Sequence, residues 1–153
     1  MLLDSDILFF QTPREILEWA DGDQPGFRFN PQTDTRYSIP SEKLEAYYGI
    51  SVWKDVNAGL ALIPRAGISL DFIEDYLREF ASQSINDVWL EQTAYALLAS
   101  KFGRGGLLPF TYEISYGPAR GENCTARHYL SAGSSRPHFF REGVIALAPL
   151  LLR

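Results

Sequence analysis

An apolar run, Met1-Leu2-Leu3 followed by Ile7-Leu8-Phe9-Phe10, is broken by a single acidic tripeptide, Asp4-Ser5-Asp6. Apolar residues on both sides read as a buried strand of a covered sheet, and the break marks a strand end that exposes two anionic side chains. In extended backbone, residues i and i+2 point to the same side, so Asp4 and Asp6 are expected to converge on one ligand. Two converging carboxylates make a poor core but suit a hard divalent cation such as Mn²⁺ or Mg²⁺. Asp21-Gly22-Asp23 repeats the spacing and serves as an internal control. It follows an amphipathic helix and contains glycine, so a solvated loop accounts for it. The bracketing apolar residues, rather than the spacing, carry the signal at Asp4 and Asp6.

The chain has 153 residues, enough for one domain with a substantial core and too few to argue for two; residues 1–153 are therefore read as a single domain. Its net charge of −5 argues against a nucleic-acid partner, because phosphate backbones require clustered lysine and arginine. A lone cysteine, Cys124, forms no internal disulfide, which fits a reducing compartment, and it reads as a surface-loop thiol. No basic segment precedes the first apolar residues, so no signal peptide is recognised, and a cytoplasmic location is expected. The apolar stretch from Val144 to Leu152 is about half of the ~20 residues that a membrane span needs.

Local signals alternate strands with helices. Thr12-Pro13-Arg14-Glu15 reads as a capping box with proline in the first turn, opening a helix through Ile16, Leu17 and Trp19. The turn-rich stretch from Gln24 to Ile39 reads as a loop with at most short strands. A helix from Ser41 to Tyr48 should stop at Gly49. Val56 to Pro64 reads as a second buried strand. Ser69 should cap a helix whose apolar positions Leu70, Ile73, Leu77 and Phe80 recur at helical spacing. Asn86 or Asp87 starts another helix, which Gly103-Arg104-Gly105-Gly106 breaks before a Leu107-Leu108 strand. Tyr112 to Ser115 and Ala126 to Leu130 are further short strands, and Phe139 to Leu152 is a helix packing its apolar side on the body. The class is α/β with a largely covered sheet.

Three further constellations can carry chemistry. His128 at a strand end offers a neutral nitrogen to a metal, and the Ala132-Gly133-Ser134-Ser135 loop offers backbone N–H groups to phosphate oxygens. Arg136 follows as a fixed positive fork. Asn57 can hold a sugar hydroxyl, and Gly59 permits close backbone approach to a ligand. Glu91 and Gln92 sit near a helix start, where the dipole favours an acid; Glu91 can serve as a general base or as a ligand to an acceptor hydroxyl. His138 lacks a following loop and reads as structural.

Taken in order, Leu-Asp-Ser-Asp-Ile-Leu-Phe-Phe, Asn57-Ala58-Gly59, Glu91-Gln92-Thr93, and His128 with Gly133 and Arg136-Pro137 resemble the second half of a GT-A fold glycosyltransferase of the glycogenin and galactosyltransferase branch. The resemblance implies a metal site of Asp4, Asp6 and His128, with Mn²⁺ or Mg²⁺ as the cofactor. It also implies donor contacts from Asn57, Gly59, Gly133 and Arg136, and a catalytic pair Glu91 and Gln92 near the acceptor. The family's later motif is His-x-x-Gly-x-x-Lys-Pro; here the glycine is displaced and arginine stands for lysine. The implied partners are a nucleotide-diphosphate sugar donor and a hydroxyl acceptor. The implied fold is a partial, Rossmann-like mixed sheet flanked by helices, with the nucleotide-binding strands expected before Met1. Two other readings stand beside it. One is nucleotidyl transfer. The other is a truncated, non-catalytic domain that associates through an exposed sheet edge.

Overall fold

The computed structural model describes residues 1–23, 26–115, 120–130 and 135–151. The described strands are β1 (Leu2–Leu3), β2 (Ile7–Phe9), β3 (Phe27–Pro31), β4 (Val56–Leu62), β5 (Gly105–Leu107), β6 (Tyr112–Ile114) and β7 (Ala126–His128). The helices are α1 (Arg14–Asp21), α2 (Ser41–Tyr48), α3 (Leu70–Phe80), α4 (Leu90–Phe102) and α5 (Arg136–Leu151). The class is α/β, with two mixed sheets flanked by helices. One sheet has the order β1-β4-β3-β5, the other β2-β7-β6. In the first, β4 runs antiparallel to both β1 and β3, while β5 lies parallel to β3. In the second, β7 is antiparallel to β2 and parallel to β6.

The acidic tripeptide is the junction between these sheets. β1 pairs Leu2 with Ala61 and Leu3 with Leu60; the chain then turns at Ser5 and Asp6 and enters β2, which pairs Ile7 with His128. One strand expected from the apolar run is therefore two, and Asp4 and Asp6 are brought together by a turn rather than by alternation along a strand. Leu2 and Leu3 are exposed, against the expectation of burial, because β1 is the outer strand of its sheet and pairs on one side only.

β4 is the strand shared by both halves of the structure. Opposite β3, Ala61 pairs with Phe29 but Asn57 pairs with Asn30, so the ladder slips between Phe29 and Asn30. A bulge of this kind re-aims the strand. It releases Ala58-Gly59-Leu60 from β3 and turns that segment toward β1, where the Asp4 N–H donates to the Gly59 carbonyl at 2.8 Å. One core packs Phe27, Phe29, Val56 and Ala61 against Phe72, Tyr76, Phe80 and Leu97 of α3 and α4. A second gathers Ile16, Leu60, Leu62, Leu108, Tyr112 and Ala126.

Several local expectations are corrected. The stretch from Gln24 to Ile39 holds β3, a five-residue inner strand with Phe27 and Phe29 buried; two alternating aromatics inside a turn-rich context are too short a signal to outweigh the prolines and glycines. α3 buries Phe72, Tyr76 and Phe80, while Leu70 and Leu77 are exposed; both stripes have helical spacing, and the aromatic one meets the core. Ser69 does cap α3, accepting from the Phe72 N–H, and Gly49 ends α2 in the left-handed conformation. Thr12 forms no capping box: Pro13 precedes α1 without a side-chain cap, and Glu15 instead accepts from the Tyr112 hydroxyl at 2.8 Å. Strand β5 starts at Gly105, within the expected turn. Here φ is +157° and an added Cβ would lie 2.0 Å from the Phe27 carbonyl oxygen, so glycine permits the close approach of β5 to β3. Cys124 is buried, not on the surface. Its thiol faces the Ala126 carbonyl, and burial foremost pushes its pKa up to about 12; it is no nucleophile at neutral pH.

α5 is anchored by a buried charge. The Arg127 side chain, 2% exposed, donates to Glu142 Oε1 at 2.9 Å and lies 3.9 Å from Glu113 Oε2. Its guanidinium stands over the Tyr129 ring at 5.2 Å, and the Tyr129 hydroxyl donates to the same Glu142 carboxylate. The pair joins α5 to β7 one residue before His128. Removing one partner of a buried ion pair leaves the other desolvated, so Glu142→Ala should lower the unfolding free energy by about 3 kcal/mol. Urea denaturation measures it, and a loss no larger than that of an exposed-surface substitution would show that Arg127 does not depend on this contact.

Candidate metal centre

Asn57 is the first residue from which the site can be built. The bulge in β4 buries it, and both ends of its amide are committed. Its Nδ2 donates to Gln32 Oε1 at 2.7 Å, and its Oδ1 accepts from the Gly59 N–H at 2.9 Å. The same Oδ1 lies 2.9 Å from His128 Nδ1. A carbonyl oxygen only accepts, so Nδ1 carries the proton of the imidazole and Nε2 keeps its lone pair. Pairing of β7 with β2 and the Asp6–Tyr129 backbone hydrogen bond at 2.9 Å hold the ring in place.

The free Nε2 faces Asp4 Oδ2 at 3.4 Å and Asp6 Oδ1 at 3.2 Å. One ligand atom from each of Asp4, Asp6 and His128 lies within 4.8 Å of the other two. For bonds of about 2.1 Å, two ligands at a right angle lie about 3 Å apart, close to the observed spacings. The donor set, two carboxylate oxygens and one imidazole nitrogen, suits Mn²⁺ or Mg²⁺ on chemical grounds. Asn57 fixes the histidine's tautomer, a typical outer-shell support for a metal-ligating imidazole.

Electrostatics point the same way. Burial foremost lowers the His128 pKa below its ordinary 6.5, despite the two carboxylates. The pKa of Asp4 is raised above 3.8, chiefly by burial, with Asp6 and Glu91 adding to the rise and His128 opposing it. Although the Asp4 side chain is 58% exposed, its Oδ2 is turned inward. A neutral imidazole facing two carboxylates offers a cation three donor atoms.

Gly59 is required at its position for a steric reason. A Cβ there would fall 2.2 Å from His128 Cε1, 2.6 Å from its Nδ1 and 2.8 Å from Asp4 Oδ2. Glycine thus lets β4 pass directly beneath two ligands.

The triad opens on a cleft of about 540 Å³ lined also by Gln32, Asp34, Arg36, Asn57, Gly59, Trp89, Glu91 and Gln92. Seven of the nine residues singled out from the sequence therefore meet in one cavity. Glu91, at the start of α4, is exposed there and accepts from the Tyr95 hydroxyl at 2.7 Å. Gln92 is buried. Its Oε1 accepts from the Ala58 N–H at 3.2 Å and its Nε2 donates to the Arg36 carbonyl at 2.9 Å, so it ties α4 to β4 and to the chain after β3. Asn57, expected to hold a sugar hydroxyl, instead orients His128. Arg136 stands outside this cleft. It is exposed at the start of α5 and lines a second, smaller hollow of about 270 Å³ with Ser5, Asp6, Tyr129, Phe139 and Phe140. Gly133 lies outside the described residues.

Sequence reasoning missed Gln32, Asp34, Arg36 and Trp89. The first three follow β3 in a stretch read as loop, and nothing local marks them as facing the site. Arg36 stands 5.9 Å from the centroid of the Trp89 ring, forming one wall of the cleft. Comparison with protein-family models, curated proteins and solved structures finds no match for this chain.

Two outcomes are expected. Asn57→Ala should weaken Mn²⁺ binding by about 10–100-fold, read by isothermal titration calorimetry; unchanged affinity would remove Asn57 from the metal's support. The rise in melting temperature produced by Mn²⁺ should persist through about pH 6.5 and shrink only as the pH falls to the lowered pKa of native His128. Below about pH 6.5 the unfolded chain takes up the imidazole proton that native His128 resists, so acidification costs stability with or without the metal. The raised carboxyl of Asp4 then begins to compete for protons earlier than an ordinary aspartate. A Mn²⁺ effect that grows on acidification would contradict this ligand set.

Proposed function

We propose that this chain is part of a metal-dependent glycosyltransferase of the GT-A type, moving a sugar from a nucleotide-diphosphate sugar to an acceptor hydroxyl. The observation that carries the reading is the convergence of Asp4, Asp6 and proton-free His128 Nε2 at one cleft. These come from two separate stretches, and the Asn57-Ala58-Gly59 and Glu91-Gln92 segments meet there too.

In the transfer, the bond from the sugar's anomeric carbon to the diphosphate oxygen breaks, and a bond from that carbon to the acceptor oxygen forms. The diphosphate leaves with the electron pair of the broken bond, and the acceptor hydroxyl gives up its proton. Asp4, Asp6 and His128 would hold Mn²⁺ or Mg²⁺, which when bound supplies positive charge to the departing diphosphate. Asn57 keeps the imidazole in the tautomer that ligates. Glu91 presents a carboxylate to the cleft while Tyr95 fixes one of its oxygens, and it is placed to receive the acceptor proton. Gln92 positions the start of α4, and with it Glu91, against β4. The Trp89 ring and Arg36 form a wall on which a sugar ring can lie, orienting the reacting groups.

A second reading, a non-catalytic domain acting in association, draws on the open edge of β1, where Leu2 and Leu3 are exposed. Such an edge can pair with another strand. Light scattering across a concentration series tests it: a dimer lost on Leu3→Lys supports edge pairing.

The glycosyl-transfer reading is tested by measuring UDP and GDP binding, and nucleotide-sugar hydrolysis, with and without Mn²⁺. Mn²⁺-dependent binding at micromolar to millimolar levels is expected, and Asp6→Ala should remove the metal dependence. Metal-dependent turnover that survives Asp6→Ala would show that the assigned ligands are wrong.

A further inference from the structure

The C-terminal helix was expected to lay its apolar side on the body, and it does not. α5 packs on β2, with Leu8 near Gly143, yet Phe140 is 59% exposed, Val144 68%, Ile145 64% and Leu147 53%. Phe140, Val144 and Leu147 recur at i, i+4 and i+7 and so form one stripe, which begins at the exposed Arg136 and has Arg141 and Ile145 along its side. Exposed apolar residues scattered singly need no explanation, but a contiguous stripe does.

We propose that this face of α5 docks on an anionic lipid bilayer, with the helix lying in the interface. Three observations select this occupant. The exposed charges beside the stripe, Arg136 and Arg141, are both positive, and the one carboxylate of the helix, Glu142, is turned away to Arg127 and Tyr129. Arginines beside large apolar side chains suit the boundary between headgroups and acyl chains. The four apolar side chains expose roughly 400 Å² together, taking about 150–200 Å² for each when fully exposed, whereas a stable interface between two proteins needs about 800 Å² on each side. Finally, α5 as described, Arg136–Leu151, is about 24 Å long at 1.5 Å per residue, short of the ~30 Å apolar core of a bilayer, and among the described residues no helix is long and apolar enough to cross a membrane. The chain's net charge of −5 opposes the attraction at long range, and salt screens that opposition beyond about 8–10 Å.

The placement bears on the site. Phe140 and Arg136 border the hollow that also contains Ser5 and Asp6, so a bilayer under α5 lies beside the metal cleft. The acceptor hydroxyl is then one carried at headgroup level, on a lipid or a lipid-linked saccharide. This last step alone rests on the glycosyl-transfer reading; docking itself does not.

Co-sedimentation with vesicles of pure phosphatidylcholine, and of phosphatidylcholine containing one third phosphatidylglycerol, tests the docking without any activity measurement. Binding to the anionic vesicles is expected, weaker to the neutral ones and weakened by salt. Val144→Glu with Leu147→Glu should lower the partition constant by roughly tenfold or more, and Arg141→Glu by a few-fold. Both positions of the double variant are exposed, so its circular dichroism and melting temperature should match the parent, and its Mn²⁺ affinity should be unchanged. No binding to either vesicle, or binding that the double variant retains, overturns the proposal. So does a dimer in light scattering that the double variant abolishes while vesicle binding is absent, which assigns the face to a second copy.

Discussion

The hydrogen bond between Asn57 Oδ1 and His128 Nδ1 is the contact on which the site depends. Because Oδ1 already accepts from the Gly59 N–H, it can only accept from the imidazole, and this decides which nitrogen faces the carboxylates. The bond also joins the two sheets, since Asn57 belongs to β4 of one and His128 to β7 of the other. Its geometry requires the bulge that separates β4 from β3 between residues 57 and 61. Without that slip, Ala58-Gly59-Leu60 would continue the ladder, and Gly59 would not reach Asp4. A backbone irregularity thus becomes a proton position, and a proton position becomes a ligand.

The same arrangement explains why the cluster is not simply an ion pair. Two carboxylates near a protonated imidazole would satisfy one another, and at an effective dielectric of 20 each contact near 4 Å is worth about 4 kcal/mol before desolvation. Burial opposes that protonation strongly enough to lower the His128 pKa even with both acids present. With the imidazole neutral, Asp4 and Asp6 repel each other and a lone pair faces both. An added cation would relieve all three at once. The nearly full burial of His128, against the partial exposure of both aspartates, leaves the open side toward the cleft, where further oxygen ligands can enter.

How much of this was legible in the sequence depended on the range of the interaction. Asp4 and Asp6 were found because an apolar run brackets them, a purely local pattern; His128 was found because it ends a strand before a stretch of serine, alanine and glycine. Gly49 and the Ser69 cap are local signals too, and they hold. Failures came where tertiary contacts chose between equivalent local patterns. On α3 the stripes through Leu70 and through Phe72 have the same period, and only the position of the core decides. β3 was hidden because its alternation covers two aromatics between turn residues, and its place between β4 and β5 is a long-range fact. Asn57 was recognised as important, but its hydrogen bond to His128 was not, since the pairing that carries it there spans the two sheets. Arg136 was read as the phosphate cation by analogy of order, yet it faces a different hollow, and Arg36 is the cation in the cleft.

That substitution of one arginine for another has a consequence for how the cleft fills. Among its lining residues, Asp4, Asp6, Asp34 and Glu91 face a single guanidinium, Arg36, and a neutral imidazole. Such a cleft repels a diphosphate, because a partly enclosed site of one sign focuses its field on whatever enters. A divalent cation held by Asp4, Asp6 and His128 would cut the excess of four carboxylates over one guanidinium from three charges to one, and would place positive charge where phosphate oxygens arrive. On the glycosyl-transfer reading a cation would bind first and the anionic donor second, leaving the remaining acids at the Trp89 and Glu91 wall to accept hydrogen bonds from neutral hydroxyl groups. The acidic lining, which alone would argue against any phosphate ligand, becomes intelligible once the proton on Nδ1 leaves Nε2 free to ligate.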